Sequence, residues 1–187
     1  MERNYTKIYF LGIGGIGMSA LARYYMHEGY RVAGYDRTAT PLTRALEAEG
    51  AEVHYEDDIN LIPEDMRSAE DTLVILTPAI PADHMEWAWL RENGFHIEKR
   101  SQILGHISEG KLCMAVAGTH GKTTTSTLAA WLNHAAAKEG SAILGGISRN
   151  FNSNLSLGEG RRLVVEADEY DRSFLRLHPD VAVITAT

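Results

Sequence analysis

Short apolar runs alternate with stretches whose apolar residues recur at helical spacing along the whole chain, the pattern of an α/β protein built on a mostly parallel sheet. Residues 7–11 form the first strand-like run. After a glycine-rich turn, Met18, Leu21, Ala22 and Tyr25 repeat at i, i+3, i+4 and i+7, which predicts a helix that Gly29 can end. Residues 31–35 read as a second strand. Thr40 followed by Pro41 is an N-cap with proline at the first helical position, opening a helix that runs to Gly50. A short strand is expected at 52–54, and the unbroken apolar run 72–76 is typical of a strand covered on both faces. The turn at 77–81 ends it; a helix over 83–93 follows, and Ser101 is placed to cap one more that ends near Gly110.

At Lys111 the pattern restarts with a strand at 112–117, a second glycine loop, and a helix with Leu128, Trp131, Leu132, Ala135 and Ala136 on one stripe. Later strands are predicted at 142–144, 163–166 and 181–185. The boundary is therefore set between Ile107 and Lys111, giving domains of 1–108 and 109–187. The sequence stops directly after a strand, where open α/β sheets carry ligand residues, so it is expected to be part of a longer protein.

Composition narrows the classes. Hydrophobic residues make up 44% and charged residues 23%, an ordinary globular balance. A formal charge of -7 offers no general attraction for nucleic acid or anionic lipid, so any phosphate must be held locally. The single cysteine, Cys113, sits between Leu112 and Met114 and reads as a buried strand position with no disulfide partner. Residues 1–7 lack the apolar core of a signal peptide, and no run is long enough to span a bilayer; a cytoplasmic setting is expected. The eight histidines show no paired metal-ligand spacing.

The first glycine loop satisfies G-x-G-x-x-G through Gly12, Gly14 and Gly17. It follows a strand, opens a helix, and precedes Asp36 at the end of the second strand, near the offset expected for an acid that meets a ribose hydroxyl. Its glycines allow a tight turn and close approach to a diphosphate, while N–H groups at the helix start face the negative charge. The fingerprint does not read the base, so the nucleotide stays open at this point.

The second loop runs from Ala115 through Gly118, Thr119, His120, Gly121, Lys122, Thr123 and Thr124. Its tail matches the G-K-[ST] of a phosphate-binding loop, but Val116 stands where the first glycine of that pattern falls. Backbone amides from Gly118 to Lys122 can surround phosphate oxygens, Lys122 can reach the β and γ phosphates of ATP, and Thr123 can ligate Mg2+. His120 can contact phosphate or substrate, or serve loop shape alone. An ATP site needs an acid at the end of a neighbouring strand, and Glu166, closing the run 163–166, is the candidate second metal ligand. Asp168, Glu169 and Asp171 follow, either as a solvated turn or as groups whose repulsion a metal ion or Arg172 relieves.

A diphosphate-binding unit followed by G-T-H-G-K-T-T-T resembles the Mur ligase family. Gly12 to Ser19, Gly118 to Thr125, Gly145-Gly146, Asn154 and the stretch from Glu166 to Leu175 carry the likeness, with Tyr170 departing from the serine that many members have. The resemblance implies a Rossmann-like parallel-sheet UDP-binding domain followed by the first part of a P-loop ATPase α/β domain, the rest of that domain and a third one lying beyond Thr187. It implies a cytoplasmic ligase of peptidoglycan synthesis that joins L-alanine to the lactyl carboxylate of UDP-N-acetylmuramate through an acyl phosphate. Gly14, Gly15, Ile16, Gly17 and Met18 would meet the diphosphate and Asp36 the uridine; Thr77, Ala79, Ile80, Arg100 and Asn154 would approach the sugar nucleotide. Lys122, Thr123, Glu166 and His120 would serve phosphoryl transfer. Three rivals stand beside it: a ligase adding a preformed peptide to the same sugar nucleotide, an NAD-dependent dehydrogenase resting on Gly12, Gly14, Gly17 and Asp36, and a non-catalytic nucleotide switch.

Overall fold

The structure, a computed structural model, describes residues 5–136, 139–167 and 175–186. The chain divides into two compact units, Met1–Arg100 and Ser101–Thr187.

The first unit carries strands β1 (Lys7–Leu11), β2 (Arg31–Tyr35), β3 (Glu52–His54), β4 (Thr72–Leu76) and β5 (His96–Lys99), ordered β3-β2-β1-β4-β5. Every pairing is parallel. Helices α1 (Ile16–His27), α2 (Pro41–Glu49) and α3 (Met85–Glu92) make the crossovers. Because successive strands run outward from β1 to β3 and then cross to β4, the order reverses beside β1, where doubly wound sheets open a crevice at their carboxyl ends. Ile8 through Leu11 are fully buried, so β1 has lost the polar alternation of a half-exposed strand. Tyr9 and Leu11 pack with Ala33, Tyr35, Ile62, Met66, Val74, Leu90 and Phe95.

Strand β5 has no counterpart in the hydrophobic pattern. It is an edge strand with His96 and Lys99 exposed, so its sequence lacks the apolar run that marked β4. Directly after it, α4 (Arg100–Ser108) begins at Arg100, so the expected cap, Ser101, lies inside the first turn and is buried. Most of α4 therefore belongs to the second unit, which starts at Ser101.

The second unit holds β6 (Leu112–Ala117), α5 (Lys122–Ala135), β7 (Gly140–Ser148), β8 (Ser153–Ser156), β9 (Arg162–Glu166) and β10 (Val181–Ile184), with strand order β10-β6-β9-β7-β8. Only β7–β8 is antiparallel. β7 is longer than its apolar stretch, and β8, an edge strand of sequence SNLS, carries no hydrophobic signal. Cys113 is buried, and burial with the nearby Asp180 carboxylate pushes its thiol up to about 11. In helix α5, Ser126 and Ala130 are the buried residues, while Leu128 is 56% and Leu132 59% exposed. The expected apolar stripe faces away from the sheet. Small residues on the inner face let the helix lie close to β7 and β9, and the core there is Ala130, Ala142, Leu144 and Val164.

Candidate functional site

The helix starts separate into two kinds. Helix α2 is closed by Thr40, whose side chain accepts from the Thr43 amide while the Thr43 hydroxyl accepts from the Thr40 amide, 3.2 and 2.9 Å. Helix α3 is closed by a distant carboxylate: Asp57 accepts from the Met85 and Glu86 amides at 2.8 and 3.1 Å. Helices α1 and α5 instead begin after Gly15 and Gly121, which have no side chain to cap them, and neither has an acid in its first turn. An uncapped helix start keeps its N–H groups and partial positive charge for an anion. These two follow β1 and β6, the strands of the two glycine loops.

In the first loop Gly12 has φ +89°, and a Cβ there would lie 2.4 Å from Thr77 Cγ2, so both conformation and space demand glycine. The Gly12 and Ile13 amides donate to the Tyr35 carbonyl at 2.8 and 3.0 Å, pinning the loop to the end of β2. Asp36 Oδ2 accepts from the Gly14 amide at 2.7 Å and Oδ1 from the Thr38 amide at 3.2 Å. A Cβ at Gly17 would fall 2.8 Å from Arg100 Nη1, so a guanidinium lies across the start of α1. Beside the loop opens a cleft of about 470 Å³ lined by Gly12, Gly15, Asp36, Thr77, Ala79 and Ile80, with Tyr35, Asp57 and His84 among its other walls. Ile16 is 38% exposed, whereas Met18 is buried and offers the helix start its backbone alone.

Beneath that cleft lies a buried polar chain. Tyr9 Oη is 2.6 Å from Glu86 Oε2 and 2.8 Å from His54 Nε2, and His54 Nδ1 is 3.0 Å from the Glu56 carbonyl. The carbonyl can only accept, so Nδ1 carries a proton. The remaining contacts close in two ways: a protonated His54 donates to Tyr9, which donates to ionised Glu86, or neutral Glu86 donates to Tyr9, which donates to Nε2. Both arrangements hold one proton shared between Glu86 and His54. Burial pushes Glu86 up to about 7 and His54 down. Tyr35, edge-on to His84 at 4.4 Å and tilted on His54 at 5.7 Å, links this chain to the cleft wall. Burial also lowers His84, which lies 3.1 Å from Asp57.

The second loop is bent at Gly118, φ +125°, and Gly121, φ +81°. The end of β10 braces it: Thr119 N donates to the Ala186 carbonyl at 3.1 Å, and the Thr185 hydroxyl contacts the carbonyls of Ala117 and His120. Lys122 Nζ donates to the Gly118 carbonyl at 2.6 Å, so its ammonium lies over the loop. Thr119, His120 and Thr124 are exposed.

Glu166 ends β9 beside β6 and is buried. Its carboxylate receives neutral donors: Ser126 Oγ and the Gly145 amide at 2.8 Å each on Oε1, and Thr123 Oγ1 at 3.2 Å on Oε2. Among the described residues no basic side chain pairs with it. A buried carboxylate beside a hydroxyl, with no cation of its own, fits a hard divalent ion such as Mg2+, which takes oxygen ligands. No cluster of three or more His, Cys, Asp or Glu suited to a metal occurs among the described residues.

The structure thus brings Lys122, Thr123 and Glu166 together at one loop, and Gly14, Asp36, Thr77 and Arg100 at the other. Asn154 is fully buried on β8. Asp168, Glu169, Tyr170, Asp171 and Arg172 lie outside the described residues. Sequence reasoning missed Tyr35, Asp57 and His84 at the cleft, Ser126 behind Glu166, and Thr185 behind the second loop. Only the Gly145-Gly146 pair gave a signal for the approach of β7 to Glu166: a Cβ on Gly145 would sit 2.3 Å from Oε2.

Comparison with known proteins agrees with this arrangement. Residues 7–112 match the model of the Mur ligase family, catalytic domain. The chain is 54% identical over 182 residues to the UDP-N-acetylmuramate–L-alanine ligase of Cytophaga hutchinsonii, covering 95% of this chain and 39% of that protein. Against the Christiangramia forsetii protein of the same name identity is 52% over 187 residues, covering 99% and 41%. The chain therefore spans about two fifths of the length of these curated relatives. Among solved structures, the UDP-N-acetylmuramate:L-alanyl-gamma-D-glutamyl-meso-diaminopimelate ligase from Neisseria superposes with TM-score 0.88 at 26% identity, covering 97% of this chain and 60% of that one. The UDP-N-acetylmuramate-alanine ligase of Thermotoga maritima gives TM-score 0.86 at 32% identity, covering 96% and 41%. With more than half its length matched by the family model, and with both glycine loops at the carboxyl ends of parallel strands, the chain belongs to the Mur ligase family.

Proposed function

We propose that this chain is the nucleotide-binding portion of a cytoplasmic, ATP- and Mg2+-dependent ligase that joins L-alanine to the lactyl carboxylate of UDP-N-acetylmuramate. The carrying observation is Glu166, a buried carboxylate aimed at Thr123 directly behind Lys122. The first unit would hold the UDP-sugar, its diphosphate against the uncapped start of α1 and Arg100, its nucleoside in the cleft beside Asp36, Thr77, Ala79 and Ile80. The second would hold ATP. The negative overall charge leaves these local cradles as the attraction for phosphate, with no role for nucleic acid. No helix among the described residues is long and apolar enough to cross a membrane.

A carboxylate is a poor acyl donor. In the proposed reaction the lactyl carboxylate oxygen attacks the γ-phosphorus and ADP leaves; the alanine amine then attacks the acyl carbon, the carbon–oxygen bond breaks, phosphate departs with its electron pair, and the amine's proton passes to phosphate or water. Lys122 would set its ammonium against the transferring phosphoryl oxygens, while the first-turn amides of α5 orient them, so the protein's contribution is positioning and charge. Mg2+, when bound by Thr123 and Glu166, would supply further neutralisation of phosphate charge. L-alanine is favoured over a preformed peptide by the names of the relatives above 50% identity. A dehydrogenase leaves Lys122, Thr123 and Glu166 without a task, and a non-catalytic switch leaves the sugar-nucleotide cleft without one.

The test is phosphate release by a polypeptide of the relatives' full length containing these residues. Release that requires both UDP-N-acetylmuramate and L-alanine is expected. ATP consumption indifferent to either would overturn the ligase reading, and NADH binding by the first unit with no response to UDP-N-acetylmuramate would point to the dehydrogenase.

A further inference from the structure

We infer that Ser126, together with the Gly145 amide, is the positioning group that selects which oxygen of Glu166 is presented to the cation of a bound nucleotide, an inference that rests on the ATP reading above. The two oxygens of Glu166 are in different situations. Among the described residues, Oε1 takes two donors, Ser126 Oγ and the Gly145 amide, both at 2.8 Å, whereas Oε2 takes one, Thr123 Oγ1 at 3.2 Å. Oε1 is committed to the protein, and Oε2 is left on the side of the hydroxyl that follows Lys122.

The hydroxyl of Ser126 also lies 3.1 Å from the Thr123 carbonyl, but it has a single proton to give. The carboxylate is both closer and charged, so it receives that proton. Ser126 is fully buried, so water is not at hand to replace it. Its place in the sequence is dictated by the helix: three residues after Thr123, it stands on the same face of α5 one turn further in. Gly145 completes the clamp, since a Cβ there would overlap the carboxylate and push β7 out of reach of Oε1. The terminal torsion of a glutamate is broad and nearly two-fold. Without Ser126, Oε1 keeps the Gly145 amide as its one donor, and the carboxylate is held less firmly with Oε2 beside Thr123.

Groups that orient a metal ligand from behind are worth about 10- to 100-fold in metal affinity. The experiment is a Mn2+ titration of the whole chain with ADP present, followed by the electron paramagnetic resonance signal of free Mn2+, on the original protein and on Ser126→Ala, Ser126→Thr, Ser126→Val and Glu166→Gln. Mn2+ bound by the original chain and lost in Glu166→Gln establishes the underlying site; undiminished binding in Glu166→Gln removes that site and the inference with it. With the site established, Ser126→Ala is expected to weaken Mn2+ about 10- to 100-fold while metal-free ADP affinity holds. Threonine and valine match in volume and differ in the hydroxyl, so Ser126→Thr should bind Mn2+ more tightly than Ser126→Val even if both lose fold stability. Equal Mn2+ affinity in that pair, or in Ser126→Ala and the original, would overturn the inference and leave the ATP reading standing.

Discussion

The two glycine loops solve the same problem with different parts. Each follows a buried parallel strand and opens a helix that begins on a glycine without a side-chain cap. Around the first, the protein's own groups are already tied: Asp36 to the Gly14 amide, the Tyr35 carbonyl to Gly12 and Ile13. Around the second, a lysine and a buried acid converge, and the acid has no cation among the described residues. A site that only holds a diphosphate needs shape and amides. On the proposed reading, a site that transfers a phosphoryl group also needs positive charge to neutralise it, which Lys122 and a cation held by Glu166 would supply.

The strongest way to break this contrast is Lys122→Ala. Losing one preorganised electrostatic group costs on the order of 10²- to 10³-fold in turnover, so on the proposed reading amide formation by a polypeptide of the relatives' full length should fall by at least that much while UDP-N-acetylmuramate affinity, measured calorimetrically, holds. If both are lost, the division of labour between the loops is wrong. Next in size are paired glycine substitutions. Gly12→Ala and Gly118→Ala each put a side chain at positive φ and into contact, with Thr77 in one case and with Thr185 and Ala186 in the other. Left-handed backbone alone costs an L-residue about 1–2 kcal/mol, and overlap adds to it. Gly12→Ala should weaken UDP-sugar binding and spare ATP, and Gly118→Ala the reverse. Equal effects on both ligands would mean the substitutions act through global unfolding.

Much of this was legible from residue order. The runs around β1, β4, β6 and β9 are apolar because both faces are covered, and glycines, Lys122 and Glu166 fall at their ends, so loops and acid could be placed by spacing. Three things were not. Edge strand β5 carries polar residues at His96 and Lys99, which face water, and β8 buries the polar Asn154 beside Leu155, so neither shows an apolar run. The stripe on α5 shows the helical spacing but not which way it faces, since a helix pressed close to a sheet uses Ser126 and Ala130 inward and leaves Leu128 and Leu132 outside. Contacts such as Tyr9 with Glu86, 77 residues apart, or Asp57 capping α3 from 28 residues away, leave no local trace.

That buried chain gives the first unit a pH dependence of its own. Burial raises Glu86 from an ordinary 4.5 to about 7. Between those values the folded chain keeps a proton that the unfolded chain has released, so stability falls as pH rises, and the loss is complete above about 7. The size is on the order of 3 kcal/mol. His54 and His84, both lowered from 6.5 by burial, act oppositely and withdraw stability as pH falls below that value. Glu86→Gln isolates the carboxylate: its amide oxygen still accepts from Tyr9 but cannot ionise. Urea midpoints at pH 5 and pH 8 should show the variant losing less stability on going to high pH than the original chain. Parallel shifts in the two proteins would remove Glu86 as the cause.

The smallest expected effect tests whether a capped helix start is separate from ligand binding. Thr40 accepts from the Thr43 amide at the head of α2, satisfying a donor that α1 and α5 leave without a side-chain cap. Thr40→Ala should cost about 1 kcal/mol of stability, a shift of about 2–4 °C in Tm for a chain of this size, because water replaces a bond that has only structural work to do. Neither nucleotide should notice. A Cβ at Gly14 would sit 2.6 Å from Thr43 Cγ2, however, so the head of α2 lies directly behind the first loop. UDP-N-acetylmuramate affinity falling in step with Tm would mean that the cap of α2 also sets the loop, making the first glycine site a construction of two helix starts instead of one.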